Sequence, residues 1–182
     1  MSMKPQYHGT TILAVKHNGR VCVGGDGQLS LDDTIVKQRG RKVRALSDGQ
    51  VLVGYAGAAA DALALLDLFE TKLKQYNGDL TRSAIEVAKE WRLDRNLRRL
   101  EADMVVADKE KMFLVSGQGE IIEPDEGIIA LGSGGAYALA AARALVKHTV
   151  MDCRAIVESA LLIASQICVY TNSHLTIEEI GE

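Results

Sequence analysis

"HGTTILAVKHNGRVCVGGDGQ", residues 8–28, decides how the rest of this chain is read. Its apolar, β-branched runs "TTILAVK" and "RVCVGG" have strand length, and Asn18-Gly19 between them is a strong hairpin signal. Two threonines stand directly behind Gly9 at the head of the first run. A Gly-rich turn carrying Asp26 follows the second. A Thr-Thr pair is by itself ordinary strand composition. The sharper reading is that the mature chain begins at Thr10, and the remaining sequence has to decide between the two.

Outward from the hairpin, "GGDGQLSLDD" reads as a turn-rich loop, and "RKVRALS" and "QVLVGYAG" as two strands around Asp48-Gly49. Ala62, Leu65, Leu66, Phe69, Leu73 and Tyr76 then fall at helical spacing, as do Leu80, Ala84, Val87, Ala88 and Trp91. Strands return in "DMVVAD", "KMFLVSG", "GEIIEP" and "GIIALGS". Two further helices, "GAYALAAARALVKHT" and "CRAIVESALLIASQICVY", precede a short strand, "LTIEEI". Strands, two helices, strands, two helices and a strand are satisfied by two antiparallel sheets packed face to face with a helix pair outside each.

The chain has 182 residues, of which 47% are hydrophobic and only 4% aromatic, so one core must be built from Ala, Val, Leu and Ile. A net charge of -3 argues against a general nucleic-acid binder. The basic run "RGRKVR", residues 39–44, has no interleaved aromatics and reads as a strand. Arg92, Arg95, Arg98 and Arg99 read as an exposed helix face among Glu90, Asp94 and Glu101. No run approaches the ~20 apolar residues of a membrane span, and "MSMKPQYHG" lacks the apolar stretch of a secretory signal. Cys22, Cys153 and Cys168 form no CxxC and read as buried small hydrophobes in a reducing compartment. The expectation is a cytoplasmic protein.

Several chemistries lack their motifs. No GxxxxGK[ST] occurs, so the chain carries no P-loop for ATP, and there is neither HExxH nor a Cys/His cluster at metal spacing. Ser133 lies in "GSGG", outside a GxSxG elbow; that turn either binds an anion or simply permits a tight strand-to-helix connection. In "RKVRAL", Val43 and Ala45 share one face and Lys42, Arg44 and Leu46 the other. A half-buried Lys42 needs a carboxylate, for which Asp26 is a candidate. A threonine hydroxyl is a weak nucleophile, but an N-terminal threonine carries its own base in the α-amine. A lysine would keep that amine neutral, an aspartate would orient the lysine, and backbone N–H groups at a glycine turn would hold an oxyanion.

Together, "HGTTILAV", "GGDGQLSL", "RKVRAL", "VGYAGAAADALALLDLFETKL", "AKEWRLDRNLRRLEA", "ALGSGGAYALAAARAL" and "ICVYTNSHLTIEEI" closely resemble the HslV (ClpQ) family, the bacterial proteasome-like threonine peptidases. The resemblance implies an α+β fold, the four-layer αββα sandwich of the N-terminal nucleophile hydrolases. It implies that residues 1–9 are a leader removed by self-cleavage and that residues 10–182 are a single peptidase domain. Thr10 is then nucleophile and, through its amine, general base; Lys42 tunes that amine and Asp26 positions Lys42. Gly54 matches the oxyanion N–H, and Ser133 the serine that supports the amine. Backbone carbonyls of Ser165, Cys168 and Thr171 match a monovalent cation site, with sodium as the expected ion. The family assembles two hexameric rings into a dodecamer, and a separate AAA+ hexamer, HslU (ClpY), uses ATP to feed it unfolded proteins. A small-molecule amidohydrolase with the same nucleophile, and a non-catalytic ring subunit, remain the alternatives.

Overall fold

A computed structural model describes residues 7–8, 10–94 and 101–181 of the chain. The expected cleavage site at Gly9, most of the leader, and Arg95, Arg98 and Arg99 lie outside the described residues. The strands β1 (Tyr7–His8), β2 (Thr11–His17), β3 (Arg20–Gly25), β4 (Leu29–Leu31), β5 (Thr34–Lys37), β6 (Val43–Leu46) and β7 (Val51–Gly57) come first. Helices α1 (Ala59–Gln75) and α2 (Leu80–Leu93) follow, then β8 (Ala102–Ala107), β9 (Met112–Val115), β10 (Ile121–Ile122) and β11 (Ile128–Gly132). Next are α3 (Gly135–His148), α4 (Cys153–Ile167) and β12 (Thr176–Ile180).

The strands form an antiparallel five-stranded sheet, β10-β9-β8-β7-β6, and an antiparallel four-stranded sheet, β11-β2-β3-β12. Side-chain alternation divides the core into three layers. From β2, Ile12 and Ala14 point between the sheets, where they join Val23, Leu52, Ala56 and Val105. Leu13 and Val15 point the other way, onto Ile156, Val157 and Leu161 of α4. From β7, Val51, Val53 and Tyr55 face Leu65, Phe69 and Trp91 of α1 and α2. Each sheet is thus covered on both faces, which is why β2, β3, β7 and β8 read as continuous apolar runs. Helix pair, sheet, sheet, helix pair is the αββα sandwich, an α+β fold.

Local signals account for most boundaries. Asn18 and Gly19 both adopt positive φ, 50° and 76°, as the hairpin between β2 and β3 requires. Asp79 caps α2 by accepting from Arg82 N–H at 2.9 Å, and Asp152 caps α4 by accepting from Ala155 N–H at 2.8 Å. The stripe on α1 is buried except for Tyr76, whose ring lies 4.3 Å beneath the Arg82 guanidinium. All three cysteines are free and buried.

The loop expected at residues 24–33 contains a strand. Asp32, at φ 49°, turns the chain between β4 and β5, which pair antiparallel; β1 adds to β4 with His8 opposite Ser30. A three-residue strand is too short to leave a clear period-2 signal in the sequence. Among the described residues no helix is long and apolar enough to cross a membrane.

Candidate active site

The site begins with the register of the first hairpin. Ile12 lies opposite Gly25, so the start of β2 meets the residue just after β3. Thr11 N–H donates to Asp26 Oδ1 at 2.8 Å, and Asp26 N–H donates to Thr11 O at 3.1 Å. The lysine arrives from the other sheet. Tyr55 N–H donates to Lys42 O at 3.1 Å, which carries the β6–β7 pairing one residue beyond β6. Lys42 Nζ then lies 3.0 Å from the same Asp26 Oδ1 and also donates to Gln28 O.

The pair is fully enclosed. Asp26 is 1% exposed and Lys42 7%. Asp26 Oδ2 takes two further N–H groups, from Gln28 at 2.9 Å and Asn172 at 3.1 Å, so both oxygens accept twice. A buried carboxylate tolerates its charge when its oxygens are filled in this way. Burial holds the Lys42 ammonium below the ordinary lysine range, against the pull of Asp26 beside it.

The "GSGG" turn docks the first strand. Ser133 N–H donates to Thr10 O at 2.9 Å and Gly134 N–H to Thr11 Oγ1 at 3.0 Å. Thr11 Oγ1 also lies 2.7 Å from Thr171 Oγ1. These N–H groups are therefore directed at the protein's own strand, and the turn serves as the tight connection. Gly132 is required twice: its φ is +82°, and a Cβ there would lie 1.9 Å from Thr10 O. Gly132→Ala is expected to destabilise the fold by about 2–4 kcal/mol and to displace Thr10. Urea unfolding measures the first effect, and the rate of leader loss the second.

Residues 6–180 match the proteasome subunit family. The chain is 52% identical over 175 residues to the ATP-dependent protease subunit HslV of Pseudothermotoga lettingae, covering 96% of this chain and 99% of that one. The chain belongs to the proteasome family. Its fold superposes on the crystal structure of eukaryotic HslV from Trypanosoma brucei with a TM-score of 0.89 at 41% identity, over 94% of this chain and 99% of that one. Membership makes the chain a protease.

Within this proteasome-family site, the structure brings Thr10, Asp26, Lys42 and Ser133 to one end of the sheets; the Ser133 side chain is exposed there and Thr10 is 6% exposed. Gly54 does not join them. It sits inside β7 between Val43 of β6 and Val105 of β8. Tyr55 N–H is turned to the β6 side and Ala58 N–H, on Glu101 O, to the β8 side. Successive N–H groups alternate between the edges of a strand, so the Gly54 N–H is held in the ladder with β8. This corrects the expected oxyanion donor. The glycine at 54 has a packing reason instead, because a Cβ would lie 2.6 Å from Ile12 Cγ2. By the same alternation the Gly57 N–H points past the end of β6, on the Lys42 side.

Ser165 occupies the last turn of α4, Cys168 is its C-cap, and the Thr171 N–H donates to Cys168 O at 3.1 Å. Among the described residues no His, Cys, Asp and Glu side chains cluster at metal-binding distance. Neutral carbonyl oxygens where a helix ends fit a hard cation of low charge, since the last carbonyls lack intrahelical donors. Sequence reasoning assigned no role to Thr11, Gln28 or Asn172, and gave Thr171 only its carbonyl. The one visible signal was the polar pair Thr171-Asn172 directly after an apolar helix end.

Proposed function

We propose that this chain is the threonine peptidase subunit of a two-component, ATP-dependent protease. One observation carries the reading: Lys42 Nζ and Thr11 N–H converge on the same oxygen of buried Asp26. Among the described ion pairs this is the only one with both side chains buried, and its aspartate holds the N–H of the residue that follows Thr10. A charged lysine fixed there favours the neutral form of a threonine amine.

The chemistry runs in two stages. In the precursor, Thr10 Oγ attacks the Gly9 carbonyl, the acyl group shifts from nitrogen to oxygen, and water hydrolyses the ester. Residues 1–9 leave with a carboxylate on Gly9, and Thr10 keeps a free α-amine. In turnover, that amine takes the proton from Thr10 Oγ as Oγ attacks a substrate carbonyl, then delivers it to the leaving amine. Water hydrolyses the acyl-threonine. The Gly57 N–H is the donor we assign to the oxyanion, in place of Gly54, and Ser133 Oγ supports the amine.

The carbonyls of Ser165, Cys168 and Thr171 would hold a monovalent cation, sodium by expectation, which would brace the segment carrying Thr171. The Pseudothermotoga lettingae relative is named an ATP-dependent protease subunit, and this chain has no P-loop. ATP would therefore act on a separate AAA+ hexamer, HslU, feeding unfolded protein into a cytoplasmic dodecamer of two hexameric rings. Leu63 on α1 and Ile163 and Ile167 on α4 are 43%, 39% and 55% exposed, as expected of faces that other subunits cover.

The test is the intact mass of the purified, assembled protein beside its Thr10→Ala variant. Loss of residues 1–9 in the parent alone supports self-cleavage at Gly9-Thr10. Retention of the leader in assembled parent rings refutes it, because the Thr10 amine would never be freed.

A further inference from the structure

We infer that Asn172 is a positioning residue for catalysis, a side-chain clamp that sets Asp26 against Lys42; this rests on the threonine-peptidase reading above. Asn172 belongs to the segment between α4 and β12, far in sequence from both partners. Its amide group joins three stretches of chain. Asn172 Oδ1 accepts from Gly27 N–H and from His174 N–H, each at 3.1 Å. Asn172 Nδ2 donates to Gln38 O at 2.8 Å. Gly27 directly follows Asp26, and Gln38 lies on the stretch that leads from β5 into Lys42. The clamp therefore holds the aspartate loop and the lysine approach to the same anchor.

The two stretches are already in close contact under it. A Cβ on Gly27 would lie 2.4 Å from Gln38 O, and Gly40 N–H donates to Gly27 O at 2.7 Å. Across this seam a carboxamide has the right chemistry, because it accepts twice on oxygen while donating through nitrogen. Aspartate lacks the donor, and alanine lacks both. The separate bond from Asn172 N–H to Asp26 Oδ2, at 3.1 Å, belongs to the backbone and survives substitution. Side-chain variants thus isolate the clamp from the direct contact. None of these bonds reaches Thr10, so the effect on chemistry has to pass through Asp26 and Lys42.

The experiment compares the full-length parent, Asn172→Ala and Asn172→Asp in steady-state cleavage of a fluorogenic peptide. Competent sites are counted by covalent labelling of Thr10 with a peptide epoxyketone. Small misplacements away from the reacting atoms slow the chemical step, so kcat per labelled site is expected to fall ~10–100-fold in Asn172→Ala, with KM within about twofold. Asn172→Asp keeps the accepted bonds but sets a carboxylate oxygen against Gln38 O and adds a charge near Asp26, so it is expected to lose kcat per labelled site as well; it decides the matter if the alanine variant yields no labelled sites. In an Asp26→Asn background, Asn172→Ala is expected to cost clearly less than in the parent, since the part of its effect that passes through Asp26 is already lost. An unchanged kcat per labelled site overturns the inference, and so does an equal loss in the Asp26→Asn background. Thr10→Ala is assayed in parallel: activity retained there refutes the peptidase reading itself, whatever Asn172 does.

Discussion

Thr10→Ala is expected to lower peptide hydrolysis by at least ~10⁴-fold, since removing a nucleophile leaves only what binding and oxyanion stabilisation provide. The same variant keeps its leader. The backbone docking of Thr10 should survive, because its carbonyl accepts from Ser133 N–H at 2.9 Å. An alanine carbonyl accepts equally well. Melting temperature is therefore expected to stay close to the parent's while activity disappears. Thr10→Ser, which keeps both hydroxyl and amine, should process its leader and retain measurable turnover. A Thr10→Ala protein that still cleaves a fluorogenic peptide at more than about one hundredth of the parent rate excludes Thr10 as the nucleophile.

Lys42→Ala carries the second large effect, on both activity and stability. It removes the cation that favours the neutral amine, and kcat/KM is expected to drop ~10³-fold, within the usual range for losing support of a general base. It also leaves Asp26, 1% exposed, without its counter-charge. Removing one partner of a buried pair typically costs about 3–5 kcal/mol. The three N–H groups of Thr11, Gln28 and Asn172 that remain on Asp26 should hold the loss toward the lower end. Urea unfolding of the two proteins measures it.

The pH profile of the parent has a sign that follows from the same pair. On the threonine-peptidase reading the Thr10 amine must be neutral to act as base, so activity is expected to rise with pH on the acid side. Lys42 must be protonated, so activity falls again as pH climbs through its own value. Burial sets that value below the 10.5 of an ordinary lysine. A bell-shaped kcat/KM with its alkaline limb beginning below that pH is expected. A profile flat into strongly alkaline solution argues that the charge on Lys42 is not used.

Much of this site was legible because the residues near Thr10 are local or lie on well-patterned strands. The hairpin at Asn18-Gly19 sets a register that must bring the start of β2 to the end of β3, so Thr11 and Asp26 meet although 15 positions separate them. Lys42 could be flagged from alternation alone, as a charge on a face shared with Leu46. Gly54, matched to the oxyanion N–H only through the family resemblance, shows what patterning leaves out. Period-2 patterning tells which residues share a face; it carries no information about which edge of the strand each N–H addresses. That depends on the neighbouring strands, here β6 ending early and β8 continuing.

By itself, then, the sequence determined the order of strands and helices, the apolar stripes that seat them, and the threonine behind a glycine at the head of β2. These follow from side-chain periodicity, capping and turn chemistry, all of which act within a few residues. Only the tertiary structure decided that Thr171 reaches Thr11 across 160 positions, that Asn172 reaches Asp26 across 146, and that Gly54 is paired inside the sheet opposite Val105. Those contacts come from packing α3 and α4 on the four-stranded sheet and from closing the two sheets on each other. No local pattern encodes them, because their energy exists only once the distant partner has arrived.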